Sequence, residues 1–305
     1  MTQALPTARS STLPDPRATL TLLKPVTWFA PMWAFMCGAV SSGVSFADAW
    51  VFAVAGIVLA GPLVCGTSQA VNDWFDRHVD AINEPHRPIP SGRIPGRWGL
   101  YIAIIWTCVS LAVAASLGLW VFWAAVVGLA LAWAYSAPPF RLKQNGWWGN
   151  LAVGISYEGL AWFTGAAALL GAFPASEIVW LALLYSLGAH GIMTLNDFKS
   201  VEGDTAMNLK SLPVQLGVDG AAKLACWVMA VPQAIVIGLL LTWGQVFPAS
   251  GVAILLAIQL ALMVPLVRAP KEKAAWYNAT GTTLYVLGML VSAFAVSSHL
   301  APAAA

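Results

Sequence analysis

Asn72-Asp73-Trp74-Phe75-Asp76-Arg77-His78-Val79-Asp80 closes a long apolar segment and runs on into Asn83-Glu84-Pro85-His86-Arg87-Pro88-Ile89-Pro90-Ser91-Gly92. Its carboxylates fall at i, i+3 and i+7. At ~100° per residue this keeps Asp73, Asp76 and Asp80 on one helix face, spread over ~10 Å of axis. Asn72 opens the same line as N-x-x-x-D-x-x-x-D. Like charges this close repel unless a cation sits between them. Oxygen ligands with room for a phosphate suit Mg²⁺, which takes one or two carboxylates plus phosphate oxygens. The plainer alternative is a solvated acidic helix end.

A second copy argues against the plainer alternative. Asn196, Asp197, Ser200 and Asp204 repeat Asn72, Asp73, Asp76 and Asp80 at a constant offset of 124 residues. Arg87-Pro88-Ile89-Pro90 is echoed by Lys210-Ser211-Leu212-Pro213 with a one-residue slip. Each copy ends an apolar span and opens a polar loop, the pattern expected of a two-sided clamp for metal and phosphate.

The rest of the chain is built to sit in lipid. Of its 305 residues 59% are hydrophobic and only 9% charged, against about 25% charged in soluble domains. This is the composition of an all-α polytopic membrane protein. The net charge of +2 carries little information, and no nucleic-acid partner is expected. The placement of the charges is more telling. All 15 Lys and Arg lie in the N-terminal tail or follow alternate spans: Arg9, Arg17 and Lys24; Arg77, Arg87, Arg93 and Arg97; Arg141 and Lys143; Lys199, Lys210 and Lys223; Arg268, Lys271 and Lys273. The turns near Asp48, Gly118, Pro174 and Pro248 hold none. By the positive-inside rule this predicts nine spans, with the N-terminus and both acidic loops cytoplasmic and the C-terminus outside.

The predicted spans run about 25–46, 49–71, 98–116, 119–135, 149–170, 178–195, 221–243, 246–267 and 276–298. They form one domain, 23–305, preceded by a flexible cytoplasmic tail over 1–22. The tail is polar, with Pro6, Pro14 and Pro16, and has no secretory h-region or cleavage site. Cys37, Cys65, Cys108 and Cys226 lie in apolar runs without C-x-x-C spacing and read as small buried hydrophobes.

Pro85, Pro88, Pro90 and Gly92 make a rigid loop. Arg77, Arg87 and Arg93 around it are planar donors suited to phosphate, Arg87 first among them. Tyr135-Ser136-Ala137-Pro138-Pro139-Phe140-Arg141-Leu142-Lys143 is a helix end broken by prolines that carries two cations. Glu158 is an acid near mid-membrane, costly and functional by default. His190 lies about 9 Å below Asn196 at the helical rise. The plainer roles for this pair are a hydrogen-bonded neutral acid and a satisfied core histidine.

From about Lys24 to His299 the sequence resembles the UbiA superfamily of intramembrane prenyltransferases. The motifs 72–92 and 196–204 look like those of its chlorophyll- and bacteriochlorophyll-synthase branch. The resemblance implies a helical bundle around a central cavity, capped by the acidic loops. It also implies Mg²⁺, and transfer of a geranylgeranyl or phytyl group from its diphosphate to the propionate of a (bacterio)chlorophyllide. Asp73, Asp76, Asp80, Asp197 and Asp204 are then the catalytic acids, ligating metal with Asn72 and, at a less favourable angle, Glu202. Ser200 departs from the Asp common at that position in the superfamily. Candidates for the diphosphate are Asn72, Lys24, Arg87, Arg141, Lys143, Lys199 and Lys210. Tyr135, Glu158, Trp162 and His190 are candidates for the acceptor pocket. Tyr135, Trp162 and Phe163 are candidates to face an allylic cation, and His190 a candidate ligand of the tetrapyrrole magnesium. The missing transit-like N-terminus favours a bacterial inner membrane. The rivals are a UbiA enzyme acting on an aromatic ring or haem, and a secondary transporter. Transporter acids lie near the midplane, whereas here all but Glu158 sit at helix ends.

Overall fold

The computed structural model describes residues 13–301, and among them α-helix dominates and no strand occurs. Among the described residues eight helices are long and apolar enough to cross a membrane, not nine. The exception is the first expected span. After α1 (Pro16–Leu23) and a 3₁₀ turn at Pro25–Thr27, α2 (Phe29–Ser41) has only 13 residues. That is ~20 Å of helix against a hydrocarbon core of ~30 Å. Even so, the ends of this segment lie at opposite ends of the bundle. Lys24 bonds Asp73 in the acidic cap, while Gly43 lies against Ser297 near the far end of the last helix.

The second rod is longer than composition suggested. α3 (Phe46–Val58), a π-helical stretch Leu59–Cys65 around Pro62, and α4 (Gly66–Asn83) form one 38-residue rod. The first acidic motif is therefore helical throughout and does not open a loop. Proline has no N–H and cannot close the regular i→i−4 ladder; here the helix widens at Pro62, and Trp106 donates to the Pro62 carbonyl at 3.2 Å. α5 (Trp98–Leu117), α6 (Leu119–Ser136) and α7 (Gly146–Gly154) follow. A second π turn, Ile155–Gly159, continues α7 into α8 (Leu160–Leu170). Then come α9 (Ser176–Asn196), the short α10 (Val201–Ala206), α11 (Leu212–Thr242), α12 (Val246–Arg268) and α13 (Pro270–Leu300).

Direct backbone contact holds α2 to α8. A Cβ on Gly38 would lie 1.8 Å from the Trp162 carbonyl oxygen, and one on Gly165 2.0 Å from that of Phe35. Only glycine permits this approach, the means by which membrane helices gain dispersion contacts where no hydrophobic effect drives them together. Trp162, fully buried, stacks on Tyr185 and donates to Ser41 Oγ at 3.1 Å. Gln233 and Gln259 exchange two hydrogen bonds of 3.1 and 3.0 Å between α11 and α12, satisfying amides that lipid could not. Phe247, Trp227 and Trp50 face outward, as a lipid-bathed surface requires. The molecule is a multi-pass membrane protein.

Ring contacts pair segments at the turns that lack Lys and Arg: Trp120 with Phe173, and Trp243 with His299. Two expectations change. Residues 1–12 of the expected tail lie outside the described residues, but Pro16–Leu23 is a helix that buries Ala18, Leu22 and Leu23 against α4 and α5. Those apolar residues recur at helical spacing within a stretch that its prolines make look unstructured. Of the four cysteines, all free, Cys108 faces outward and Cys226 is half-buried.

Candidate active site

α1 ends where Lys24 adopts a left-handed conformation, φ 48°, and this aims its side chain at α4. Lys24 Nζ donates to Asp73 Oδ1 at 2.7 Å. Arg87 reaches back from the proline loop to Asp73 Oδ1 at 3.5 Å and Asp80 Oδ2 at 3.0 Å, and also contacts Glu84. Burial works against this guanidinium, but the carboxylates of Asp73, Asp80 and Glu84 outweigh it and push its pKa above the usual arginine value.

Asp76 takes a different partner. Lys143 Nζ contacts both of its oxygens, and Arg141 Nη2 stands 3.9 Å away. Burial holds the Lys143 pKa below the ordinary lysine value even with Asp76 beside it. Arg141 is also left-handed, φ 39°. Two of the three non-glycine residues with positive φ among the described residues therefore carry cations onto the first motif. Such conformations cost ~1–3 kcal/mol and persist where the surroundings demand them. Arg77 and Arg93 do not join the cluster. Arg77 folds over the Trp74 ring and donates to the Trp74 carbonyl, and Arg93 donates to Ser91 and the His86 carbonyl.

The second motif keeps the sequence spacing but not the conformation. α9 stops at Asn196, Asp197–Lys199 is a 3₁₀ turn, and α10 carries Glu202 and Asp204. Asp197 Oδ2 accepts from Asn150 at 3.2 Å, and Asp204 Oδ2 from Ser200 Oγ at 3.0 Å. Asp204 is buried, whereas Lys199, Glu202 and Lys210 are exposed. The Lys210 backbone does the joining: its N–H donates to the Gln144 carbonyl at 2.9 Å, and its carbonyl accepts from Gly146 at 2.7 Å. The loop bearing Arg141 and Lys143 is thereby sewn to the loop of the second motif.

The two leading asparagines do meet at one opening. Asn72 and Asn196 both line a cavity of about 320 Å³, with Tyr135 beside them. Asn72 Nδ2 donates to Ser136 Oγ at 3.2 Å, and Asn196 Oδ1 accepts from Asn278 Nδ2 at 2.7 Å. Tyr135 lies within electrostatic reach of Asp76, Asp197 and Asp204, and so stands between the motifs. Below this mouth the wall is mostly apolar, with Ala60, Val64, Gly128, Leu131, Ala132 and Val153.

Several expected pocket residues are elsewhere. Trp162 is packed in the core, and Phe163 packs edge-to-face on Phe173 in a separate apolar cluster. Glu158 is buried but does not line the cavity, and its Oε2 has no hydrogen-bond partner. His190 lines a second cavity of about 500 Å³ with Trp147, Trp148, Leu151, Leu187 and Val228. The cause is common to these residues. In a membrane helix the core, the cavity and the lipid are all apolar, so periodicity does not say which one a side chain faces. Asn150, Asn278, Ser136 and Gln69 were missed. Their only signal was polarity within or beside an apolar run.

The donor set fits Mg²⁺. The described residues offer carboxylate and amide oxygens, and Asp73 Oδ2 is buried without a hydrogen-bond partner. No three His, Cys, Asp or Glu among them converge into a closed cage.

The model of the UbiA prenyltransferase family matches residues 28–285. This chain belongs to the UbiA prenyltransferase family. It is 59% identical to the bacteriochlorophyll synthase 33 kDa chain of Cereibacter sphaeroides, over 93% of this chain and 94% of that one. It is 50% identical to the 34 kDa chain of Chloroflexus aurantiacus, over 91% and 89%. With the chloroplastic chlorophyll synthase of Oryza sativa the identity is 39%, over 91% and 76%. Among solved structures, a digeranylgeranylglyceryl phosphate synthase aligns with a TM-score of 0.72 at 21% identity, covering 91% of this chain and 98% of that one. A UbiA homologue from Archaeoglobus fulgidus bound to DMAPP and Mg²⁺ aligns at 0.67, also at 21% identity, covering 92% and 99%. At that identity the likeness establishes the UbiA fold. The chain is thus a membrane prenyltransferase in which the asparagines that lead the two motifs line one cavity.

Proposed function

We propose that this prenyltransferase transfers a geranylgeranyl (or phytyl) group from its diphosphate to the propionate of a (bacterio)chlorophyllide, forming an ester. The observation that carries this reading is the 59% identity to a bacteriochlorophyll synthase across nearly the full chain, together with the polar crown over an apolar cavity.

In this reading the diphosphate binds under the cap and the prenyl chain enters the cavity. Lys24, Arg87, Arg141 and Lys143 already converge on the first motif and are in place to take phosphate oxygens. Lys199 and Lys210 are exposed and assist only at the rim. Asn72, Asp73, Asp76, Asp80, Asp197 and Asp204 would hold Mg²⁺, Glu202 at most from outside. Mg²⁺ there would supply the positive charge that lets acidic residues grip a polyanion and draws electrons toward the leaving diphosphate. Ser136 and Asn278 hold the Asn72 and Asn196 amides in one orientation, so that site needs no rearrangement as charge develops. The cavity wall keeps water from the allylic centre. A propionate, with a pKa near ~4.3, is already an anion at neutral pH. Attack through its oxygen releases no proton and needs no general base, which accords with a Glu158 that does not line the cavity.

The acceptor ring is assigned to the second cavity, where His190 can meet its magnesium between the Trp147 and Trp148 side chains. His190 lines that cavity, and neutral imidazole is a common metal ligand. The expected setting is a bacterial inner membrane, N-terminus and cap in the cytoplasm and C-terminus outside.

The test is incubation of membranes holding this chain with labelled geranylgeranyl diphosphate and a panel of acceptors. Esterified chlorophyllide supports the reading. Prenylated hydroxybenzoate or haem with no chlorophyllide ester moves the assignment to a ring- or haem-prenylating enzyme, and solute transport without diphosphate release rules out transfer.

A further inference from the structure

The cavity wall below the mouth contains a polar knot that the chemistry above does not use. Tyr157 Oη accepts a hydrogen bond from Gln69 Nε2 at 3.0 Å and one from Cys65 Sγ at 3.3 Å, and Ser68 Oγ lies 3.4 Å away. All four residues line the cavity. Gln69 precedes Asn72 by less than one helical turn, so the phenol hangs about one turn below the acidic mouth. Such a knot costs polar groups in a space otherwise shaped for a hydrocarbon chain. Its effect is to fix the direction of one aromatic ring.

The backbone is specialised at the same place. Tyr157 lies in the π turn Ile155–Gly159 and Cys65 ends the π stretch Leu59–Cys65. The two widened segments face each other through the Cys65–Tyr157 hydrogen bond. π turns are rare and concentrate at functional sites. The other candidate rings fall away: Trp162 and Phe163 do not line the cavity, and Tyr135 stands among the carboxylates at the mouth.

We propose that the ring of Tyr157 is the surface that faces the allylic carbocation. The inference rests on the prenyl-transfer reading. When the C1–O bond breaks, its electron pair leaves with the diphosphate, and positive charge spreads over C1 and C3 of the allylic unit. The negative face of the Tyr157 ring stabilises that charge. The acceptor carboxylate then forms the new C1–O bond with its own lone pair. No proton is released, so the phenol stays neutral, and its hydroxyl only anchors the ring through Gln69, Cys65 and Ser68.

The experiment separates ring from hydroxyl and electronics from shape. Tyr157→Phe, Tyr157→Leu and a series of 4-fluoro-, 3,5-difluoro- and 3,4,5-trifluorophenylalanine at position 157 are made in the full-length chain. Single-turnover rates are measured with geranylgeranyl diphosphate, and donor affinity by competition with its unreactive S-thiolodiphosphate. Tyr157→Phe should stay within ~3-fold of wild type. Tyr157→Leu should lose ~10–30-fold in rate with affinity changed less than ~3-fold, and log rate should fall stepwise with added fluorine. A flat fluorine series, a Leu variant at wild-type rate, or a Phe variant as impaired as Leu would each overturn the proposal. The fluorinated rings keep the shape of the Phe variant, so the series, read against Tyr157→Phe, decides even if Tyr157→Leu fails to fold. A wild-type protein that releases no diphosphate from the donor would overturn the transfer reading, and this inference with it.

Discussion

Lys143 Nζ contacts both carboxylate oxygens of Asp76, joining the loop after α6 to the helix that carries the first acidic motif. The Lys210 backbone ties that same loop to the second motif. Asp76 is therefore the carboxylate through which the two halves of the cap are coupled. Asp73 and Asp80, by contrast, share Arg87 within the first half.

Asp76→Asn should lower metal-dependent diphosphate release at least ~100-fold, the scale on which a single charge-stabilising group is lost. The variant should remain folded and inserted, since Asp76 is partly exposed and packs no core. Turnover as a function of Mg²⁺ concentration checks this. Near-native turnover at limiting Mg²⁺ contradicts the assignment.

Ser200→Ala should cost far less than Asp197→Asn or Asp204→Asn. Ser200 contributes one hydrogen bond to the Asp204 carboxylate and no charge. A neutral hydroxyl is a poor magnesium ligand beside two carboxylates. About 10-fold is expected for the serine and ~100-fold or more for each aspartate. Three equal losses would mean that the motifs work symmetrically.

Glu158→Gln should retain activity within ~3-fold, because the acid is buried off the cavity and no base is needed. The pH profile between about 6 and 9 should lack a steep acidic limb, the loss on lowering pH that protonation of an essential base would give. His190→Gln should weaken binding of a magnesium or zinc chlorophyllide while leaving a metal-free analogue unaffected. Absorption titrations with both acceptors read this directly. Loss of turnover in Glu158→Gln with normal acceptor binding would restore a base mechanism.

A reporter active only outside the cytoplasm should be active when fused after Ala305 and silent after Gly92. The expectation follows from cations confined to one end and from a first segment that joins both ends of the bundle although its helix is short. A silent C-terminal fusion would mean that Pro25–Ser41 does not cross.

By itself the sequence determined the membrane class, which end of the bundle carries charge, and the two motifs with the oxygen chemistry they provide. These properties are local or additive. Apolar length answers to bilayer thickness, charge placement to insertion, and carboxylate spacing to the helical repeat. Only the tertiary structure decided which cations reach which acids, because Lys24 and Asp73 lie 49 positions apart and Lys143 and Asp76 lie 67 apart. It also moved Trp162 from the expected pocket to the core and brought Tyr157 to the cavity wall. Core, cavity and lipid make the same demand on an apolar side chain, so only the packing of neighbouring helices separates them.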